Sequence, residues 1–378
     1  MQATLGIAPT ATEPSGADVE MAEQPEESTG LPKEHVAKID ETNAALSATR
    51  RKRKPAPGHA TAEQVKSYTL QHTVGSLHSP KTPGINSLAL SRTQPDLFVT
   101  GGNDKIVQLY EKGNNKVIAT FKGHTKKIHR VALRELADGS APRFVLSASA
   151  DKTARVWGYD EASQEYAPRY TSKVHKGEVT GLFVHPTRTL FGLSSLDRTY
   201  SVHDLSAPSG PSLIFQSPVG EDAFTTTSIH PDGALVGFGT HNSTIQIYDI
   251  RSGTLAATLT PDASTPFTVN TLAFSENGYH LLAPDSASSV AIWDLRKQTA
   301  AHSIALGEFK VNKVEYDYGA QYFAVAGTGG TRLFAHKTWE ELVRLEEEGD
   351  AADVVFGDLG QEVWTASGRE VKIWKAPQ

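Results

Sequence analysis

The sequence predicts an all-β, seven-bladed propeller preceded by a polar arm, and three regularities carry that prediction. A short strand ending in an aromatic or imidazole ring recurs seven times, as VQLY, ARVW, YSVH, IQIY, VAIW, TRLF and VKIW. The closing rings are Tyr110, Trp157, His203, Tyr248, Trp293, Phe334 and Trp374, at intervals of 47, 46, 45, 45, 41 and 40 residues. Such intervals fit one four-stranded blade each. The tight-turn tetrapeptides HPTR, HPDG, SENG and YDYG end at Arg188, Gly233, Gly278 and Gly319, each 15 residues before its ring. Asp104, Asp151 and Asp197, with Asn242 in the fourth copy, stand six residues before the ring. There an Asp accepts backbone N–H bonds and holds the turn between the second and third strands.

Composition sets the outer bounds. With 378 residues, 38% of them hydrophobic, the chain is long enough to bury a large core. Zero Cys removes disulfide frameworks, thiolate metal sites and cysteine nucleophiles, and points to a reducing compartment. No stretch approaches the roughly 18 consecutive apolar residues of a membrane span, so no membrane partner is expected. The start MQATLGIAPTATEPSG has neither a basic nor an apolar leader region. A net charge of −6 argues against coating nucleic acid by charge alone.

The arm, residues 1–66, is expected to be disordered. Its first thirty residues carry Glu13, Asp18, Glu20, Glu23, Glu26 and Glu27 and no Lys or Arg, too little apolar surface to offset the entropy of ordering. PKEHVAKIDETNAALSAT follows, with Val36, Ile39 and Leu46 on one helical face and Asn43 interrupting it. A stripe this narrow predicts a transient helix, or one that orders only against a partner. Arg50, Arg51, Lys52, Arg53 and Lys54 then form a cationic run before Pro55, Ala56, Pro57 and Gly58. Held extended, it reads as a nuclear-import signal, placing the protein in the nucleus.

Residues 67–378 are expected to form the propeller. After Trp374 only KAPQ remains, too short to complete the last blade. SYTLQHTV, residues 67–74, alternates apolar and polar side chains and can supply the missing outer strand. Both ends of the ring then share one blade.

Polar residues inside the blades read as structure before chemistry. Only blade two shows a full hydrogen-bonding set in sequence: His124 after Gly123, Ser147 or Ser149 on the second strand, Asp151 at the turn, and Trp157, with Ser149 the assigned hydroxyl. The same residue types could form an acyl-transfer triad, but a buried chain of imidazole, hydroxyl and indole explains the spacing with less. GTGGT at 327–331 lacks the Lys and helix of a phosphate loop, and the His residues lack zincin spacing. No cofactor, metal ion or catalytic centre is expected.

Binding is expected on the narrow face. Aligning the copies places Lys127, Glu178, Thr268, Lys310 and Asp350 at the head of the first strands, with His129, Thr180, Asn270 and Asn312 two residues further in. Their mixture suits a protein partner better than a phosphate sink. Lys122, Lys126, Lys127, His129 and Arg130 form the densest basic cluster of the propeller. A direct RNA contact there is the weaker alternative.

The Gly-His, Asp and Trp landmarks at this period resemble the WD40 repeat, with Gly123-His124 a proper GH pair and Trp293-Asp294 a literal WD. GHTKKI, FSENGYHL, SSVAIWDLRK, KSYTLQHTVGSLHS and LPKEHVAKIDETNAALSATRRKRK resemble the linker and propeller of the pre-mRNA-processing factor 19 family, over roughly residues 30 to 378. That resemblance implies an oligomeric ubiquitin ligase with a U-box, a coiled coil and a partner-recruiting propeller acting in splicing and DNA repair. Thirty residues before Leu31 leave no room for a U-box or several heptads. The scaffold role therefore transfers to the residues present: binding splicing-complex proteins and ubiquitylation substrates, without the coiled coil through which the family oligomerises. A short scaffold with no ligase link is the other alternative.

Overall fold

A computed structural model describes residues 30–51, 56–135, 142–263 and 265–377. It contains seven four-stranded antiparallel sheets, each a blade whose first strand lies innermost. Six blades are continuous in sequence, running from the strand Ile85–Leu90 of blade one to the strand Glu341–Glu346 of blade six. The seventh orders its strands as Ala351–Phe356, Glu362–Ser367, Glu370–Lys375 and, outermost, Thr69–Val74. In that last pairing Leu70 faces Trp374 and Val74 faces Val371.

Burial follows from position in the blade. Second strands such as Leu97–Gly102 and Tyr322–Gly327 are buried at every residue, because neighbouring blades cover both faces. Outer strands such as Lys116–Phe121 expose most of theirs. Between the last blade and the first, Phe98 and Trp364 are fully buried and meet edge-on, ring centroids 5.4 Å apart. Burying each such ring contributes about 2–3 kcal/mol. GTGGT is a hairpin, with Thr328 and Gly329 joining strands that pair Gly327 with Gly330. Gly329 sits at φ 74°, where a side chain would be strained.

The arm departs from the disorder expected across residues 1–66. Residues 1–29 and 52–55 lie outside the described residues. Between them, α1 (Lys33–Arg51) lies against blades three and four. Leu31 and the fully buried Ile39 join a cluster with Phe183, Leu190, Tyr200 and Ile250, and Val36 packs against it. The Leu31 N–H donates to the Arg251 carbonyl at 2.9 Å, and Arg251 Nη1 reaches Asp40 at 2.7 Å. Tertiary burial supplies what a solitary helix of this length lacks.

The chain then crosses to blades six and seven. α2 (Ala62–Lys66) opens with a capping box between Thr61 and Gln64. Ala60, Val65 and Tyr68 are buried with Tyr322 and Phe356. His59 Nε2 donates to Asp317 at 2.8 Å, and Tyr68 Oη donates to the Gly360 carbonyl at 2.5 Å. Residues 30–51 and 56–68 thus brace the propeller at two separate places.

Candidate functional site

Among the described residues, blades one, two and three each hold a buried histidine against the Asp that precedes the third strand. In blade two His124 Nδ1 lies 2.8 Å from Asp151 Oδ2 and Nε2 lies 2.8 Å from Ser147 Oγ. A carboxylate only accepts, so Nδ1 donates and Nε2 takes the Ser147 hydroxyl proton. His78 holds Asp104 and Thr100 in blade one, each at 2.9 Å. His175 holds Asp197 at 3.2 Å and Ser201 at 3.0 Å in blade three. The hydroxyl in blade two is therefore Ser147, which corrects the assignment to Ser149. Ser149 Oγ instead donates to the Lys127 carbonyl at 2.9 Å and accepts the Asp151 N–H at 3.1 Å. Trp157 meets the His124 ring edge-on, centroids 6.2 Å apart.

Asp–His–Ser is also the connectivity of a nucleophilic triad. Here Ser147 is fully buried, so its hydroxyl has no approach for a substrate. Burial by itself would raise the Asp151 carboxyl, but bonds from His124, Thr153 and the Thr125 N–H hold it well below the usual carboxylate range. The network locks the turn between the blade's second and third strands. Among the described residues no three His, Asp or Glu side chains converge as a metal site.

The aligned inner positions have a shared geometry. Each of His129, Thr180 and Asn312 sits at a register shift in the first strand of its blade, and Asn86 and Thr225 do so in blades one and four. A bulge turns its side chain out of the ladder, here toward the next blade. Asn86 donates to the Ile128 carbonyl at 2.9 Å, Thr180 to Phe224 at 2.7 Å and Thr225 to Val269 at 2.5 Å. Asn270 donates to Val311 at 2.8 Å and Asn312 to Ala351 at 3.0 Å. His129 bonds Glu178 across the same gap at 2.9 Å; burial lowers its pKa despite Glu178, and Lys127 adds to the lowering. Ala352 occupies the seventh position.

A second belt runs one residue deeper. Ser87 accepts the Val131 N–H at 3.2 Å, Thr271 accepts Val314 at 3.0 Å, and Asp353 accepts Leu88 at 2.8 Å. The polar groups of Thr180, Asn270 and Asn312 are thus engaged between blades, and those of His129 and Glu178 with each other. Of the leading positions, Lys127, Lys310 and Asp350 are exposed, Glu178 and Thr268 half-buried, and Thr268 Oγ1 lies 3.1 Å from His241 Nδ1. Aligning the copies found the recurrent positions; it lacked Asn86 and Thr225, each a polar residue directly after the buried apolar residue that opens its strand.

Of the cationic run, Arg50 lies in α1 and pairs with Asp232. Arg51 ends the helix, and Lys52, Arg53 and Lys54 lie outside the described residues.

Comparison with known proteins agrees with this geometry. The WD domain, G-beta repeat family matches residues 115–158, the outer strand of blade one and the first three of blade two. Pre-mRNA-processing factor 19 homolog 2 of Arabidopsis thaliana is 32% identical over 92% of this chain and 65% of its own length. Pre-mRNA-processing factor 19 of Oryza sativa is 31% identical over 90% of the chain and 64% of its own. The Bos taurus protein is 32% identical over 87% and 63%. The chain spans just under two thirds of the length of these curated relatives. With seven blades, a buried His–Asp–hydroxyl network in the first three and this likeness along nearly its whole length, the chain is a WD40-repeat propeller similar to the pre-mRNA-processing factor 19 proteins.

Proposed function

We propose that this protein is a nuclear scaffold of the splicing machinery, binding other splicing proteins through its propeller. The observation that carries the reading is the match to relatives named as pre-mRNA-processing factors over 92% of the chain, linker helix included. The fold supports it: hydrogen bonds between neighbouring blades engage the recurrent inner polar positions, so what reaches solvent is a face of loop side chains. Lys127, Lys310 and Asp350, its exposed leading residues, define the contact zone, while Thr180, His129, Glu178, Asn270 and Asn312, engaged between blades, hold the loops that present it. Recruitment of ubiquitylation substrates and a role in DNA repair belong to the same proposal, with catalysis residing in a ligase assembly rather than in these blades. The cationic run serves as its import signal through the cations that follow Arg50, which α1 holds against Asp232.

Affinity capture from nuclear extract, with and without nuclease, tests it. Splicing proteins retained after RNA digestion are expected. Their loss on digestion would replace the scaffold with an RNA-binding propeller, whose retention would also fall steeply with salt.

A further inference from the structure

Five of the 20 prolines follow Ser or Thr: Pro80, Pro83, Pro218, Pro261 and Pro266. All five lie in loops that carry the chain from an outer strand to the first strand of the next blade, at 75–84 entering blade one, 217–223 entering blade four and 260–272 entering blade five. The loops of this kind hold no other proline. A proline disfavours helical backbone in the residue before it, which biases each hydroxyl residue toward an extended form. Its own missing N–H leaves no donor to satisfy in an apolar pocket. A hydroxyl followed by such a residue is the pair that a proline-directed protein kinase reads.

Burial separates the five. Ser217 is 9% exposed, and its Oγ accepts the Tyr200 N–H at 3.0 Å and donates to the Pro218 carbonyl at 3.0 Å. Thr260 is exposed but Pro261 is buried. Ser79 is half-buried, with its Oγ accepting the Lys81 N–H at 3.3 Å. Thr82 and Pro83 are both exposed, as are Thr265 and Pro266. Of these two, Thr82 has a second proline, Pro80, two residues before it. Every residue of Pro80-Lys81-Thr82-Pro83 is exposed. The stretch is tied at one end by the Ser79 N–H donating to Asp104 at 2.8 Å, and at the other by Asn103 Nδ2 donating to the Pro83 carbonyl at 2.8 Å. With both ends held, little chain entropy is lost when the segment enters a cleft.

We propose that Thr82 is a phosphorylation site for a proline-directed kinase of the mitogen-activated class, which favours proline both after the acceptor and two residues before it. Thr82 Oγ attacks the γ-phosphorus of ATP. The new O–P bond forms as the bond to the β,γ-bridging oxygen breaks, ADP leaves, and the hydroxyl proton passes to the kinase's catalytic Asp. The product adds a charge of about −1.5 to −2 next to Lys81, on a loop joined through Asn103 to the turn that carries the exposed Lys105. The modification does not depend on which partner the propeller binds.

The full chain is incubated with Mg-ATP and an active mitogen-activated kinase, and phosphate at each site is followed by mass spectrometry. Thr82 is expected to react about tenfold faster, or more, than Ser217 and Thr260 of the same molecules, whose pairs have one member buried and must first open locally. Thr82→Ala should remove the dominant signal. Pro83→Ala keeps the hydroxyl and the carbonyl that Asn103 holds, and should slow Thr82 roughly tenfold, because the restored N–H is left unpaired in the kinase's pocket. No phosphate on Thr82, a rate there no higher than at Ser217, or an unchanged rate in Pro83→Ala would overturn the proposal.

Discussion

Asp353 of the last blade accepts the backbone N–H of Leu88 in the first at 2.8 Å, through a carboxylate only 2% exposed. Its other oxygen takes the Val354 N–H at 2.9 Å. Where other interfaces use the Ser87 or Thr271 hydroxyl, the closing interface uses a charge-assisted bond. This is also the interface whose outer belt position is Ala352.

Asp353→Ala strands the Leu88 N–H away from water and should cost about 2–3 kcal/mol. Asp353→Asn, which keeps an acceptor, should cost clearly less. Urea midpoints at unchanged slope measure both. Equal losses would mean that shape, not the acceptor, matters at this junction.

Ser147→Ala removes the acceptor-side partner of His124 and should destabilise by about 1–2 kcal/mol. Ser149→Ala should leave His124 bonded to Asp151 while loosening the turn at Lys127. The NMR signal of the His124 imidazole N–H separates them, because only the Ser147 variant alters the environment of Nε2. An identical response to both substitutions would contradict the assignment.

Ile39→Asp should release α1 without opening the ring. Hydrogen exchange is expected to quicken across residues 33–51 while the strands of blades three and four keep their protection. Loss of protection throughout would make the helix part of one cooperative unit with the blades. Thermal melting of the same variant sets the scale of the contact, expected to be a few degrees.

Acid should weaken the fold well before the carboxylates titrate. Burial pushes His203 down to about 3 and His185 and His230 down to about 4, with the Gly233 and Gly278 carbonyls opposing it in the latter two and Arg50 adding to it at His230. The unfolded chain, with His near 6.5, binds more protons than the folded one, so stability rises with pH. It is complete above about pH 7 and is lost progressively as pH falls from 6.5 toward the folded values. At pH 5 each ring contributes a loss of about 2 kcal/mol, from 1.4 kcal/mol per pH unit. Denaturation midpoints between pH 7.5 and 5 should fall steadily; a flat profile would show that these imidazoles are hydrated.

The blade count and the closing strand were legible because period and alternation are local properties of the chain. The choice between Ser147 and Ser149 was not, since residues two apart on a strand share a face; distance to His124 decides it, and that is set across 23 residues. Asp104 and Asp197 were seen as turn residues, but His78 and His175 lack a Gly before them and so escaped pairing. Helix α1 shows the limit most clearly. Leu31, Val36 and Ile39 are visible as a stripe, whereas the surface that receives them is assembled from residues 183 to 250. His129, Thr180, Asn270 and Asn312 were recognisable as equivalent positions, but alignment shows recurrence and cannot show which carbonyl lies across a blade boundary.

The anchoring of Leu31 to Arg251 and of Arg50 to Asp232 also fixes a direction. A pull transmitted along the backbone from residue 30 would meet first the side of blade four and only later, through residues 56–68, the seam where the circle closes. Mechanical load is thereby kept away from the strand Thr69–Val74, the one piece whose peeling would unzip the ring.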